Sequence, residues 1–266
     1  MRAAFAVISA FVASAVASPI AIFLSRADDS KVSVFNSNTL SSPEIEAVQQ
    51  ALEGVTTFTG RQNVLLPNPP DATNLTFTFI NNTVTGQTGG TVALGTRATF
   101  PALIGTEVAQ AFGWLNACGL NVPHSHPRAN EWLTVITGKL IAGLILEAND
   151  GSFGQIKGQA PLVPLPLPEV NVTLNAFTGM LFPQGQTHWQ FNPTCEPALF
   201  TAAFDSSDPG RLQVARNFFS NYPSKVIQSA LGNGEILGAS DLAKIRGQIP
   251  DAYAVIMEDC AKKCGL

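Results

Sequence analysis

The sequence predicts an all-β fold, an antiparallel sandwich or barrel, with a short N-terminal helix and a C-terminal helical segment. Only 13% of the 266 residues are charged, whereas 22 are glycine and 18 are proline. This composition favours short strands joined by turns over long surface helices. Short apolar and β-branched runs recur between residues 62 and 207, and helical spacing is confined to the two ends. Many short strands at regular spacing are typical of a sandwich or barrel.

Residues 1–17 are typical of a secretory signal peptide. Arg2 precedes an apolar run, and small residues allow cleavage after Ala17. An uncleaved anchor is the alternative, because no charge lies between Arg2 and Arg26, but Ala/Ser richness and Pro19 count against it. No other stretch is long and apolar enough to span a bilayer. We therefore expect a secreted protein, extracellular or in a cell wall, with no membrane partner.

Secretion makes three Asn-x-Ser/Thr triplets candidate glycosylation sites on exposed loops. They begin at Asn74, Asn81 and Asn171. The formal net charge is −4 and the sequence has no basic run, which argues against a nucleic-acid partner.

Residues 18–61 form an N-terminal extension in which Ser42-Pro43-Glu44 predicts a helix start and Gly54 a helix end. The predicted barrel follows at 62–207. Its candidate strands are 75–80, 92–95, 108–112, 132–136, 139–146 and 199–204.

Four prolines between 155 and 170 exclude a central strand there. We interpret this stretch as a surface insertion, with a lid or an oligomer contact as the alternative. The final segment, 208–266, predicts helices at 224–231 and 240–247, a short turn or strand at 213–219, and a last element at 251–263. It is expected to pack on the barrel or on a neighbouring subunit.

All three histidines of the chain lie in two segments that proline and glycine frame. His124 and His126 are two residues apart, so both side chains share one face of a strand. Glu131 follows, and His188 comes from a distant strand. Three imidazoles and one carboxylate predict a metal site with room for solvent or substrate. Ordinary hydrogen-bonded histidines are the alternative.

The types of ligand restrict which metals can bind but do not identify a single one. No cysteine belongs to the set, so a thiolate zinc or copper site is not expected, and imidazole with carboxylate suits manganese, iron, nickel or zinc.

These segments resemble the two motifs of the cupin superfamily, and most closely those of germin-like proteins, including the spherulin branch of fungi and slime moulds. His124, His126, Glu131 and Gly138 match the first motif, in which Cys118 replaces the leading glycine. The second motif is matched by Pro183, Gly185, His188 and Asn192, with Gly179 two residues late.

The resemblance implies a jelly-roll barrel with manganese inside, bound by the three histidines and Glu131, and it implies homo-oligomers. Oxalate oxidases of this family place two asparagines near the metal. Asn121 matches one and is a candidate substrate contact, whereas Ala111 stands where the other is expected and Asn116 is out of register. The germin N-terminal cysteine pair is also missing.

The four cysteines are consistent with two disulfides in an oxidising compartment and allow three connectivities. If the strands that carry His124 and His188 pair antiparallel, Cys118 and Cys195 meet. We therefore predict a Cys118–Cys195 bridge, which leaves Cys260 and Cys264 to pair locally.

Around the site, Asn192 is expected to share the inward face of its strand with His188, while Trp189 and Phe191 face the other way. Trp132 is expected to be structural and Arg128 to lie on the surface.

Three functions follow as hypotheses. The first is a manganese-dependent redox protein of the superoxide dismutase type, which needs no side-chain nucleophile. The second is a non-catalytic metal-binding protein of the extracellular matrix or cell wall. The third is an oxalate oxidase, against which Ala111 counts. The substrate would be superoxide or a small carboxylate.

Overall fold

Two antiparallel sheets with small helices at both ends form the protein in the computed structural model. The structure describes residues 42–66, 72–79, 88–146, 169–232, 238–250 and 252–266. The predicted signal peptide, Asn81 and residues 155–168 lie outside them. No helix in the described ranges is both long and apolar enough to cross a membrane.

In the described ranges, two α-helices precede the sheets: α1 (Ser42–Glu53) and α2 (Phe58–Leu65). The predicted limits of α1 are confirmed, and Thr57 caps α2 by accepting a hydrogen bond from the Gly60 amide. Leu52 and Leu65 pack with Ala102 and Ile104 into a small apolar cluster. The N-terminal helices therefore pack into a small apolar cluster that is separate from the main core between the sheets.

The strand predicted at 75–80 is wrong over its described residues, since a 3₁₀ turn occupies Ala72–Leu75 and no strand follows it up to residue 79. Phe77 lies 5.3 Å from Phe100, and Phe79 lies 4.8 Å from Phe112, between ring centroids. Packing of these rings, rather than pairing in a β-sheet, therefore explains why apolar residues alternate in this segment.

The remaining predicted strands are confirmed. Eleven strands occur in the described residues: β1 (Gly90–Gly95), β2 (Ala109–Leu115), β3 (Gly119–Ser125), β4 (Glu131–Thr137), β5 (Lys139–Ile145), β6 (Glu169–Asn175), β7 (Gly179–Phe182), β8 (His188–Phe191), β9 (Ala198–Phe204), β10 (Leu212–Gln213) and β11 (Ala254–Ile256).

The strands divide into a five-stranded sheet, in the order β1-β2-β9-β4-β7, and a six-stranded sheet, in the order β10-β3-β8-β5-β6 with β11 also paired to β3. Buried side chains of both sheets, such as Leu133, Phe200 and Leu140, form one continuous core. This is the jelly-roll arrangement that the sequence predicted.

The C-terminal segment contains both helices and strands. Its helices are α3 (Val214–Arg216, continued by a π-helical turn at Asn217–Asn221), α4 (Ser224–Ala230), α5 (Ala239–Gln248) and α6 (Glu258–Cys264). The predicted helices at 224–231 and 240–247 are thus present. β11 pairs with the first half of β3 and β10 with its last two residues. The segment therefore completes the edge of β3.

The predicted Cys118–Cys195 bridge is wrong: the disulfides join Cys118 to Cys260 and Cys195 to Cys264. The strand pairing behind the prediction is correct, but the Cys118 amide bonds to the carbonyl of Thr194, one residue short of Cys195. Pairing of β11 with β3 brings α6 to this corner. Because residues four apart share one face of a helix, both cysteines of α6 can reach the barrel.

We expect peptide mapping without reduction to recover the pairs Cys118–Cys260 and Cys195–Cys264. Replacing Cys118 and Cys260 together by serine should lower the free energy of unfolding by up to about 5 kcal/mol, because that bridge spans 142 residues. Denaturation with guanidinium measures this loss. Recovery of a Cys118–Cys195 peptide would contradict the assignment.

Candidate metal centre

The centre is built on the pairing of β3 with β8, in which His124 lies opposite His188. The register shifts between Asn121 and His124, so a bulge falls on the segment that contains Pro123. Proline lacks the amide hydrogen of a regular ladder and is accommodated at a bulge. The bulge brings His124 directly across from His188, with ring centroids 4.3 Å apart.

The other two donors reach the same point from elsewhere. His126 follows the end of β3, and Glu131 begins β4 in the opposite sheet. Oε2 of Glu131 lies 3.0 Å from Nε2 of His126 and 3.0 Å from Nε2 of His188. One ligand atom from each of the four residues falls within 4.8 Å of the others, and all four residues are buried. The four predicted ligands therefore lie together. They do so only because the two sheets pack face to face.

A backbone carbonyl fixes each imidazole. Nδ1 of His124 lies 2.8 Å from the oxygen of Val122, Nδ1 of His188 lies 2.9 Å from that of Gln186, and Nδ1 of His126 lies 2.5 Å from that of Gly210. A ring nitrogen beside a carbonyl must carry the hydrogen, so each Nε2 is left with a lone pair.

Lone pairs of His126 and His188 at 3.0 Å from a carboxylate oxygen repel it unless a cation or proton lies between them. The donor set therefore fits a divalent metal ion.

The ionisation states suit metal binding. Burial, followed by the charges of Arg211, His188 and His126, lowers the pKa of His124 well below its usual value, which keeps the ring neutral. Burial alone would raise the pKa of Glu131, but its polar contacts with the rings of His126 and His188 lower it to about 2. A neutral imidazole and an ionised carboxylate are the forms that bind metals.

Two buried aromatic rings hold the ligand rings in place. Phe182 stacks on His188 at 4.3 Å between centroids, and Phe204 meets His126 at 4.7 Å. Sequence reasoning did not single out either residue, although both lie in apolar strand patterns. They exclude water from the ligand cluster on the sides where they pack.

Hydrogen bonds join the loops of the two motifs. Asp205 accepts from the backbone amide of Asn130 at 2.8 Å and from its side chain at 2.5 Å. The Asn130 side-chain oxygen accepts from the Gln184 amide at 3.0 Å, and His126 accepts from the Gly185 amide through its carbonyl at 2.8 Å. The bond from Asn130 also lowers the pKa of Asp205. This network fixes the segment between His126 and Glu131.

A cavity of about 230 Å³ adjoins the ligands and runs between the sheets. Ala111 and Asn121 both line it, so the two positions compared with oxalate oxidases face the cavity as expected. The side chain of Asn116 donates instead to the carbonyl of Thr88 and supplies nothing to the cavity. Arg211 and Tyr253, which the sequence reasoning missed, also line the cavity. They lie in the C-terminal segment, which carries no motif signal.

The other residues singled out from the sequence lie away from the ligands. Asn192 is buried as expected, but it braces a turn by donating to the carbonyls of Leu115, Asn116 and Glu196. Trp189 and Phe191 are half-buried.

Two further residues face outward. Arg128 pairs with Asp208 at the surface, as expected, whereas Trp132, which was expected to be structural, is 54% exposed.

The leading residue of the first motif has an unusual backbone. Cys118 has a φ of 60°, in the left-handed region that favours glycine. This conformation explains why a glycine suits the position, and the disulfide to Cys260 holds the cysteine there. Of the candidate glycosylation sites, Asn171 is exposed on β6 and Asn74 is half-buried.

Comparison with known proteins agrees with this arrangement. The family model described as cupin matches residues 78–235. Spherulin-1A of Physarum polycephalum is 39% identical over 182 residues, which are 68% of this chain and 65% of the spherulin. Germin-like protein 9-1 of Oryza sativa subsp. japonica is 32% identical over 164 residues, 59% of this chain and 60% of that protein. The chain thus spans slightly less than two thirds of each relative.

Solved structures share the fold at lower identity. Oxalate oxidase aligns with a TM-score of 0.54 and 22% identity over 66% of this chain and 80% of that one. Oxalate decarboxylase of Bacillus subtilis aligns with a TM-score of 0.52 and 16% identity over 68% of this chain and 41% of that one.

We expect Asn130→Ala to weaken the affinity for Mn²⁺ or Zn²⁺ by about tenfold or more, because the segment between two ligands loses its bonds to Asp205 and Gln184. Asn221→Ala, which removes an exposed side-chain hydrogen bond to Asn217, is the matched control. Calorimetric titration of the metal-free proteins measures both affinities. Equal affinities in the two variants would show that the network does not position the ligands.

Proposed function

The chain belongs to the cupin family, and on that premise we propose that it is a secreted manganese-binding protein with redox activity of the superoxide dismutase type. The observation that carries the proposal is the convergence of three Nε2 lone pairs and one carboxylate in a buried site beside a cavity. Such a donor set provides both a metal site and space for a small substrate next to it.

Manganese is proposed on the chemistry of the donors and on the shared fold. Imidazole with carboxylate suits manganese, iron, nickel or zinc, and metal supply decides among them. The oxalate decarboxylase of Bacillus subtilis, which has a similar fold, has Mn(II) centres. When bound, manganese would supply a one-electron redox couple.

The chain itself supplies the surroundings of that chemistry. The carbonyls of Val122, Gln186 and Gly210 orient the imidazoles, so that the ligand positions do not have to reorganise. Glu131 contributes a negative charge that partly neutralises a divalent ion. The apolar cavity lining, which includes Phe200 and Phe204, limits access of bulk water.

Oxalate oxidation is the second candidate, and Asn121 favours it, because this amide lines the cavity where an oxalate oxidase has an asparagine. Ala111 disfavours it, since its methyl group faces the same cavity without a hydrogen-bond donor. Dismutation, which needs no such donor, is therefore preferred.

We also propose cleavage after Ala17, glycosylation at Asn74, Asn81 and Asn171, and assembly into homo-oligomers. The paired cysteines support export, since disulfides persist in oxidising compartments. The proposed organisation is an extension at 18–61, a barrel at 62–207 and a C-terminal segment at 208–266.

The central test is His126→Ala. We expect the wild-type protein to purify with manganese and to dismutate superoxide faster than the same concentration of free manganese, and the variant to lose both properties. Added Mn²⁺ should raise the melting temperature of the wild type only, because an ion that binds the folded state stabilises it. Elemental analysis, a superoxide assay and thermal denaturation give the three readouts.

Glu107→Gln is the control, because it changes an exposed carboxylate outside the site. Metal-loaded wild type that is no faster than free manganese would contradict the dismutase proposal. Full metal occupancy with no turnover, together with retention on wall polysaccharide, would identify a non-catalytic extracellular protein.

We expect the wild-type protein to release little hydrogen peroxide from oxalate, because Ala111 provides no donor to the substrate. A coupled peroxidase assay on the manganese-loaded protein measures this, with oxalate oxidase as the positive control. Peroxide release comparable to that enzyme would overturn the preference for dismutation.

A further inference from the structure

We propose that Arg211 is the residue that recognises a small oxyanion beside the metal centre, and that a second pocket behind Arg211 is the entry site for that anion. The inference rests on the proposed function and names the charge and size of its substrate. It assigns a role to a residue that lies outside both histidine motifs.

The position of Arg211 is tied directly to the ligands. The preceding residue, Gly210, anchors His126 through its carbonyl, and β10 begins immediately after Arg211 by pairing with the end of β3. The guanidinium donates to the side-chain oxygen of Asn121 at 2.8 Å. Because Asn121 lines the cavity, this bond holds the cation at the cavity wall.

The charge of Arg211 is only partly compensated within the described part of the chain. Its Nε is buried and has no hydrogen-bond partner there, and no carboxylate forms an ion pair with it there. Burial lowers its pKa to about 10, while Tyr253 and Glu131 act in the opposite direction, so the group stays protonated at neutral pH. A half-buried cation whose Nε is buried and unpaired is costly unless an anion binds to it.

Arg211 and Tyr253 form the wall between two cavities. Both residues line the inner cavity with the ligands, and both line an outer pocket of about 200 Å³. The guanidinium lies 4.6 Å from the centre of the Tyr253 ring, a cation–π contact that orients it. Arg216 adds a second cation to the outer pocket, and Gln213 and Asn217 add polar groups.

The electrostatics of this path favour anions. Of the described residues that line the two cavities, Glu131 is the only acid, and it belongs to the ligand set. Arg216 and Arg211 both line the outer pocket, and positive groups around an entry path raise the association rate of anions. The planar guanidinium has paired donors that match two oxygen atoms of one ligand.

The cavity volumes limit the size of the ligand. Pockets for drug-sized ligands measure about 300–1,000 Å³, and the two cavities here are smaller. The ligand class is therefore an oxyanion of a few non-hydrogen atoms, and both a short carboxylate and superoxide fit it.

The experiment compares Arg211→Gln and Arg211→Lys with wild type, all loaded with manganese to the same measured content. Calorimetric titration with oxalate and glycolate should show at least tenfold weaker binding in Arg211→Gln and a smaller loss in Arg211→Lys. Neutral glycolamide should bind all three alike. Arg97→Gln, which removes an exposed arginine that pairs with Glu53, should match the wild type.

A second arm measures the rate of superoxide dismutation as ionic strength rises. The wild-type rate should fall with salt, because screening weakens attraction of an anion, and Arg211→Gln should start lower and fall less. Carboxylate binding that depends on Arg211 identifies a carboxylate site, whereas a rate effect without carboxylate binding identifies superoxide. Near-UV circular dichroism confirms that each variant is folded.

If Arg211→Gln keeps its metal and binds anions as tightly as the wild type, with an unchanged salt dependence of the rate, the inference is overturned and the proposed function stands. If the wild type binds no metal, the proposed function fails. The titrations are then repeated on the metal-free proteins. The inference holds only if metal-free Arg211→Gln still binds the anions more weakly than metal-free wild type.

Discussion

The bulged pairing of β3 with β8 is the constraint on which the rest of the site depends. It sets His124 across from His188, and it does so because the ladder slips at the segment that contains Pro123. Every other ligand is placed relative to this pair. Glu131 arrives from the opposite sheet and His126 from the turn, so the site forms only when the two sheets pack face to face.

The same strand explains the role of the C-terminal segment. β8 pairs with one edge of β3, and β10 and β11 pair with the other edge. Together, β10 and β11 pair with most of the residues of β3. β10 is preceded by Arg211, next to the ligands, and β11 is followed by α6 with its two disulfides. The C-terminal segment therefore completes the sheet, lines the cavity with Tyr253 and is held covalently to the barrel.

Two residues of opposite charge, Glu131 and Arg211, line the cavity between the sheets. Glu131 faces the Nε2 atoms of two imidazoles around a space that suits a cation, whereas Arg211 is held by an amide and an aromatic ring. Buried charges need partners, so a metal ion on one side and an anion on the other would satisfy both groups. This complementarity links the proposed metal to the proposed substrate class.

The sequence by itself determined five of the core strands and the four candidate metal ligands, because period-two alternation and the histidine spacing are local properties. It could not determine the disulfides, since Cys118 and Cys260 meet only after β11 joins β3. Pairing of β10 and β11 with β3 likewise decides that Arg211 and Tyr253 line the cavity. Contacts between distant segments depend on register and edge pairing, which a local pattern does not encode, so only the tertiary structure decided them.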